Sequence, residues 1–138
     1  MYPLTTGNSL LATIPMTQFL LVFLGAGIGG AGRYAVSLAL MKANPDFPWA
    51  TLVVNLVGCL LIGFGAILLN TPEREPYRLL LLVGVLGGFT TFSSFSIETL
   101  NLWQSGHTTA AVVYVLMSNL LGIGFAALGY FVACRTIV

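Results

Sequence analysis

Residues 79–97 read LLLLVGVLGGFTTFSSFSI, from Leu79 to Ile97, without a single charged side chain. A run of this length and apolarity suits a hydrocarbon core of roughly 30 Å, which takes about 20 helical residues to cross. At its centre stands Gly87-Gly88-Phe89-Thr90-Thr91, a glycine pair and two β-branched residues where helix propensity is poorest. The pattern predicts a membrane helix broken at mid-membrane. Unwound backbone at that depth costs several kcal/mol per unpaired group in lipid, so it must be buried in protein. Broken helices of transport proteins use freed carbonyls for cations and half-helix N-termini for anions. A continuous helix with a flexible patch is the plainer reading, and this stretch alone leaves both open.

The remaining chain has the same character. Of its 138 residues, 57% are hydrophobic and 7% charged, and mean hydropathy is +0.96. A soluble domain carries about 25% charged residues, so soluble enzymes, secreted mini-proteins and disordered tails are excluded. Five Lys+Arg against four Asp+Glu leave +1, without the basic footprint of a nucleic-acid binder. Cys59 and Cys134 sit in apolar runs and form no disulfide framework or CxxC site. The opening stretch belongs to a span from Tyr77 to Gln104. Three more spans run from Thr17 to Leu40, from Ala50 to Asn70 and from Thr108 to Cys134. The links carry Asn44-Pro45 and Phe47-Pro48, then TPEREP at 71–76, then Ser105-Gly106-His107. Links this short predict antiparallel neighbours in an up-down-up-down bundle. The expected fold is an all-α membrane protein, with a tail over residues 1–16 and one four-helix transmembrane domain over 17–138. The tail has no Lys or Arg and does not read as a signal peptide.

Orientation is weakly marked. One side carries Arg74, Arg78 and Arg135, the other Lys42 and, if it snorkels that way, Arg33. A single poorly specified orientation and insertion in both directions each fit this charge distribution.

Within the spans, 14 of 16 glycines are found. Gly25-x-x-x-Gly29 and Gly84-x-x-x-Gly88 read as close-packing faces. Phe92, Phe95 and Glu98 follow at three-residue spacing on one helix face. The two rings suit lipid or core contact, yet their positive edges also suit a small anion. Glu98 fits a snorkelling surface acid as well as a pathway residue. Thr51 and Asn55, with Gly58 and Cys59 on the same side, form one stripe; Tyr114, Ser118 and Gly122 form another. Such groups are costly in a membrane and suggest function, though interhelical hydrogen bonding explains them equally well. They are neutral donors, which can solvate an anion without trapping it. Arg33 is the only cation deep within a span, placed to anchor at an interface or to bind loose carbonyls. His107 has no metal-ligand partners beside it.

Three motifs in order resemble the Fluc (CrcB) fluoride channels of bacteria. These are Gly29-Gly30-Ala31-Gly32-Arg33-Tyr34, Thr51-Leu52-Val53-Val54-Asn55 with Gly58, and Gly87-Gly88-Phe89-Thr90-Thr91-Phe92-Ser93-Ser94-Phe95-Ser96. Tyr114 and Ser118 add to the similarity, which extends from about Phe23 to Arg135. The resemblance implies a fluoride-selective passive channel of the bacterial inner membrane that exports cytoplasmic fluoride. It implies an antiparallel, dual-topology homodimer with two pores. It also implies a central structural Na⁺, held by the backbone carbonyls of Gly87 and Thr90 from both copies. Phe92 and Phe95 would line each pore, Asn55 would donate to fluoride, and Thr51, Glu98, Tyr114 and Ser118 would form a polar track. Arg33 would lie near the vestibule. Ala50 departs from a common glycine and Ser94 from the usual threonine.

Fluoride is small and strongly hydrated, so a site must replace its water with many close donors. Neutral HF crosses lipid under acid conditions and releases fluoride inside. A membrane potential worth about 2.3 kcal/mol per charge per 100 mV then sustains roughly a forty-fold gradient through a passive pore. No P-loop is present. A small multidrug-resistance-type dimeric transporter is the alternative, but Thr17 to Leu40 lacks the central acid it would need. A non-conducting subunit of a larger complex is a third reading. An enzyme is not expected, for want of a nucleophile-base pair or ligand cluster.

Overall fold

The computed structural model describes residues 15–40 and 47–137. The expected tail up to residue 14, and Lys42 with Asn44-Pro45 in the first link, lie outside the described residues. Helix α1 covers Met16–Leu40 and α2 covers Trp49–Leu68. The third span, Pro72–Gln104, is composite. It opens with a 3₁₀ turn at Pro72–Arg74 and continues as α3 over residues 75–89. Two extended residues interrupt it before α4, Phe92–Gln104. Helix α5, Thr108–Ile137, completes the order. The four crossings are each long and apolar enough to traverse a bilayer, and the chain is a multi-pass membrane protein. Large apolar side chains such as Phe19, Phe23, Ile28 and Phe131 are accordingly exposed on its outside.

The turns follow from local chemistry. Pro72 starts the 3₁₀ turn, where its missing N–H is no loss. The Arg74 guanidinium donates to the Leu68 carbonyl at the C-terminus of α2, the end where a cation is favoured. Gly106 takes φ +82° between α4 and α5, a conformation that only glycine adopts without strain.

Packing does not follow chain order. The principal contacts pair α1 with α3 and α2 with α5, whereas the sequential neighbours α1 and α2 touch only lightly. Glycine faces decide this. Gly25 and Gly84 approach so closely that a Cβ on Gly25 would lie 2.9 Å from the Gly84 Cα. Gly29 lies against Val85 and Phe89, and Gly88 against Ala26. On the other pair, Gly63 of α2 meets Ala126, and Gly129 of α5 meets Leu60 and Phe64. Short links bring sequential helices side by side, but side-chain-free surfaces bring backbones together, and the latter contact is larger.

Within α3, Leu79–Leu86 is wound as a π-helix, which is rare in a run of this length. Its wider turn sets the Leu80 and Val85 carbonyls, five residues apart, against Gly25 and Gly29, four apart on α1. Such backbone approach suits weak Cα–H···O contacts.

The break is narrower than propensity predicts. Gly87–Phe89 stays helical, with Gly87 at φ −62°, ψ −37°. The extended residues are Thr90 (φ −80°, ψ 157°) and Thr91 (φ −152°, ψ 120°). The β-branched pair is comfortable in extended backbone, while Gly88 serves to bring the helix against Ala26.

Candidate functional site

The Thr90–Thr91 break needs partners for its freed backbone groups, and α2 supplies them. Asn55 Nδ2 donates to the Thr91 carbonyl at 3.1 Å, while the Thr91 N–H donates to Asn55 Oδ1 at 2.8 Å. One amide thus satisfies both polar groups of one residue, leaving Asn55 a second N–H. Thr91 Oγ1 accepts from the Ser94 N–H at 3.2 Å and caps α4. The Leu86 carbonyl accepts from both the Thr90 N–H and the Thr90 hydroxyl at 2.9 Å. The Thr90 methyl seats against Gly58. None of these bonds uses the carbonyls of Gly87 or Thr90.

One helical turn back toward the N-terminus of α2, Thr51 joins a second cluster. Its hydroxyl donates to Glu98 Oε1 at 2.7 Å, and the Tyr114 hydroxyl donates to Glu98 Oε2 at 2.8 Å. Three helices meet here, and Tyr114 is 0% exposed. Glu98 is therefore not a snorkelling surface acid but a carboxyl gripped by two hydroxyls.

Aromatic rings join the two clusters. Ring centroids are 5.5 Å apart for Phe92–Phe95, 5.2 Å for Phe95–Tyr114, 5.5 Å for Tyr114–Phe47 and 4.7 Å for Phe47–Trp49. Beside the break is a groove of about 360 Å³ whose lining includes Asn55, Cys59, Thr90, Phe92, Phe95 and Ser118. Beyond the Glu98 cluster a second groove, about 490 Å³, is lined by Phe47, Pro48, Glu98, Asn101, Leu102, Ser105 and His107. Ser118 Oγ is the one buried side-chain oxygen or nitrogen without a hydrogen-bond partner among the described residues. An orphaned hydroxyl on a groove wall is a donor held for a ligand or water.

The structure thus gathers Asn55, Phe92, Phe95 and Ser118 at one groove, and Thr51, Glu98 and Tyr114 beside the other. Gly122 of the Tyr114 stripe packs on Cys59 instead of lining the groove. Arg33 is half-buried on α1, with its carbonyl accepting from the Ser37 hydroxyl at 3.1 Å. It belongs to neither groove lining. Sequence reasoning missed Phe47, which reads as half of a helix-ending pair, and Asn119, whose amide donates to Val115 at 2.7 Å. Asn119 adjoins Ser118, a signal that an intramembrane amide should have given.

The fold and the site define a multi-pass membrane protein with neutral donors strung along an apolar bundle. Residues 20–130 match the family described as CrcB-like protein, Camphor Resistance (CrcB), and the chain belongs to that family. A Coxiella burnetii protein named "Fluoride-specific ion channel FluC" is 48% identical over 114 residues, covering 80% of this chain and 92% of that protein. A protein of the same name from Saccharophagus degradans is 44% identical over 117 residues, covering 81% and 88%. One from a Hydrogenobaculum species is 42% identical over 116 residues, covering 83% and 95%. These relatives are named as ion channels and not as enzymes.

Proposed function

We propose that this chain is a passive, fluoride-selective channel that exports cytoplasmic fluoride across the bacterial inner membrane. The observation that carries this reading is the alignment, between the two grooves, of donors from α2 and α5 with aromatic rings of α4. Asn55 and Ser118 stand at one end, the Phe92 and Phe95 rings in the middle, and Thr51 and Tyr114 around Glu98 at the other. An anion in the first groove meets the second Asn55 N–H and the unpartnered Ser118 hydroxyl. Ring edges carry positive quadrupole density and pass a small anion without a charge to hold it. At the far end the Thr51 and Tyr114 hydroxyls can turn from the carboxyl to the anion by rotating O–H bonds alone. Neutral donors bind strongly enough for entry and weakly enough for release.

In one copy Phe92 is 77% exposed, so an ion in the first groove would face lipid on one side. A second copy inserted antiparallel closes that side and gives two pores related by symmetry. The Gly87 and Thr90 carbonyls of both copies would then hold a Na⁺ at the centre. That ion would supply a fixed positive charge and tie the two breaks together.

Reconstituted protein is expected to release fluoride from loaded liposomes, read with a fluoride electrode, and to retain chloride. Release no faster than from protein-free vesicles would overturn the reading. Phe92→Ile or Phe95→Ile should slow release about tenfold, equivalent to roughly 1.4 kcal/mol of lost ring interaction, while the protein elutes at its normal size. Tags on the C-terminus should be reached from both faces of the membrane; labelling from one face only contradicts dual insertion.

A further inference from the structure

The second groove ends on a residue that the donor track does not use. His107 is exposed and lines both that groove and an adjoining one of about 590 Å³, with Phe47 shared between them. Its position is fixed by backbone. The His107 N–H donates to the Leu102 carbonyl at 2.9 Å, and the His107 carbonyl accepts from the Ala111 N–H at 3.0 Å. Its imidazole is fixed too, with Nδ1 lying 3.1 Å from Ser105 Oγ. Ser105 has one hydroxyl proton, and the Asn101 carbonyl takes it at 2.8 Å. With that proton on the Asn101 or the Leu102 carbonyl, the Ser105 oxygen is free to accept from an Nδ1–H of the ring.

We infer that His107 is an entry residue of the pathway, a proton-gained positive charge at the mouth that concentrates anions outside the Glu98 cluster. The inference rests on the reading of the chain as a fluoride channel. Imidazole is the side chain whose charge changes between about pH 5 and 8. Among the described residues lining the two grooves, Glu98 is the only other charged or titratable group, and both its oxygens are engaged by Thr51 and Tyr114. Asp46, next to Phe47 in sequence, lies outside the described residues. The direction suits the ion's chemistry. Acid conditions drive HF inward, and acidification would widen the effective mouth for the anion in the same pH range.

The test is fluoride current across a planar bilayer at low ionic strength and sub-saturating fluoride; neutral HF carries no current and cannot confound it. Native protein should pass about two- to fivefold more current at pH 5.5 than at pH 7.5, the effect of one nearby charge on anion occupancy. His107→Gln should remove that pH dependence while keeping the pH 7.5 current. His107→Lys should hold the current high at both pH values, and molar salt should flatten the native response. A His107→Gln protein with the native pH profile overturns the inference and leaves the channel reading intact. Native protein without fluoride current overturns both.

Discussion

Asn55→Asp is expected to abolish fluoride release from liposomes. In the native protein the Asn55 amide answers both the N–H and the carbonyl of Thr91. An aspartate accepts from the N–H but has nothing to donate, so its second oxygen opposes the Thr91 carbonyl. The orphaned carbonyl costs about 1–3 kcal/mol. The new charge also stands in the groove proposed as the fluoride path. Two like charges about 4 Å apart repel by about 4 kcal/mol at an effective dielectric near 20, which lowers anion occupancy by about a thousandfold. Initial efflux rates, measured on protein that still elutes as a single species, decide the matter. Efflux within a few-fold of native would show that Asn55 neither holds the break nor faces the ion.

Gly29→Ala should be strongly damaging for so conservative a change. A methyl there meets the Val85 carbonyl and lies 2.8 Å from the Phe89 nitrogen, both backbone atoms that cannot step aside. Helices α1 and α3 must separate, and the carbonyls facing Gly25 and Gly29 lose their partners. Overpacking of this kind costs about 1–3 kcal/mol or more, and a fall of about 10 °C in thermal unfolding of the detergent-solubilised protein is expected. Gly27→Ala is the control, since a Cβ there meets nothing within 4 Å. Equal stability of the two variants would contradict the close-packed face.

Much of the architecture was legible because the bilayer restricts what a chain can do. Four apolar runs and three short polar links predict four spans to within a few residues of their ends. The two Gly-x-x-x-Gly pairs read correctly as packing faces, since a missing side chain has one use at a helix crossing. The partners of those faces were not legible: link length argues for sequential neighbours, whereas the surfaces that fit are α1 with α3 and α2 with α5. Propensity marked the break over Gly87–Thr91, wider than the extended pair Thr90–Thr91 that lies within it. Gly87 and Gly88 are poor helix formers, yet a helix inside a membrane keeps its hydrogen bonds unless another group replaces them. Only at Thr91 does Asn55 offer that replacement. The two polar stripes were visible as spacing, but their division into an Asn55–Thr91 clasp and a Thr51–Glu98–Tyr114 cluster depends on the path of α4 after the break. The π-helical winding of Leu79–Leu86 has no sequence signal of its own, as leucine and valine serve either winding.

We propose that the donors between the two grooves conduct fluoride passively and reject chloride. The most direct measurement is the reversal potential of purified protein in a planar bilayer, with fluoride graded tenfold and chloride equal on both sides. Reversal is expected near the fluoride equilibrium potential, about 59 mV from zero for a monovalent ion, unmoved by an imposed proton gradient. Reversal at zero, or reversal that tracks chloride or protons, would contradict the proposal.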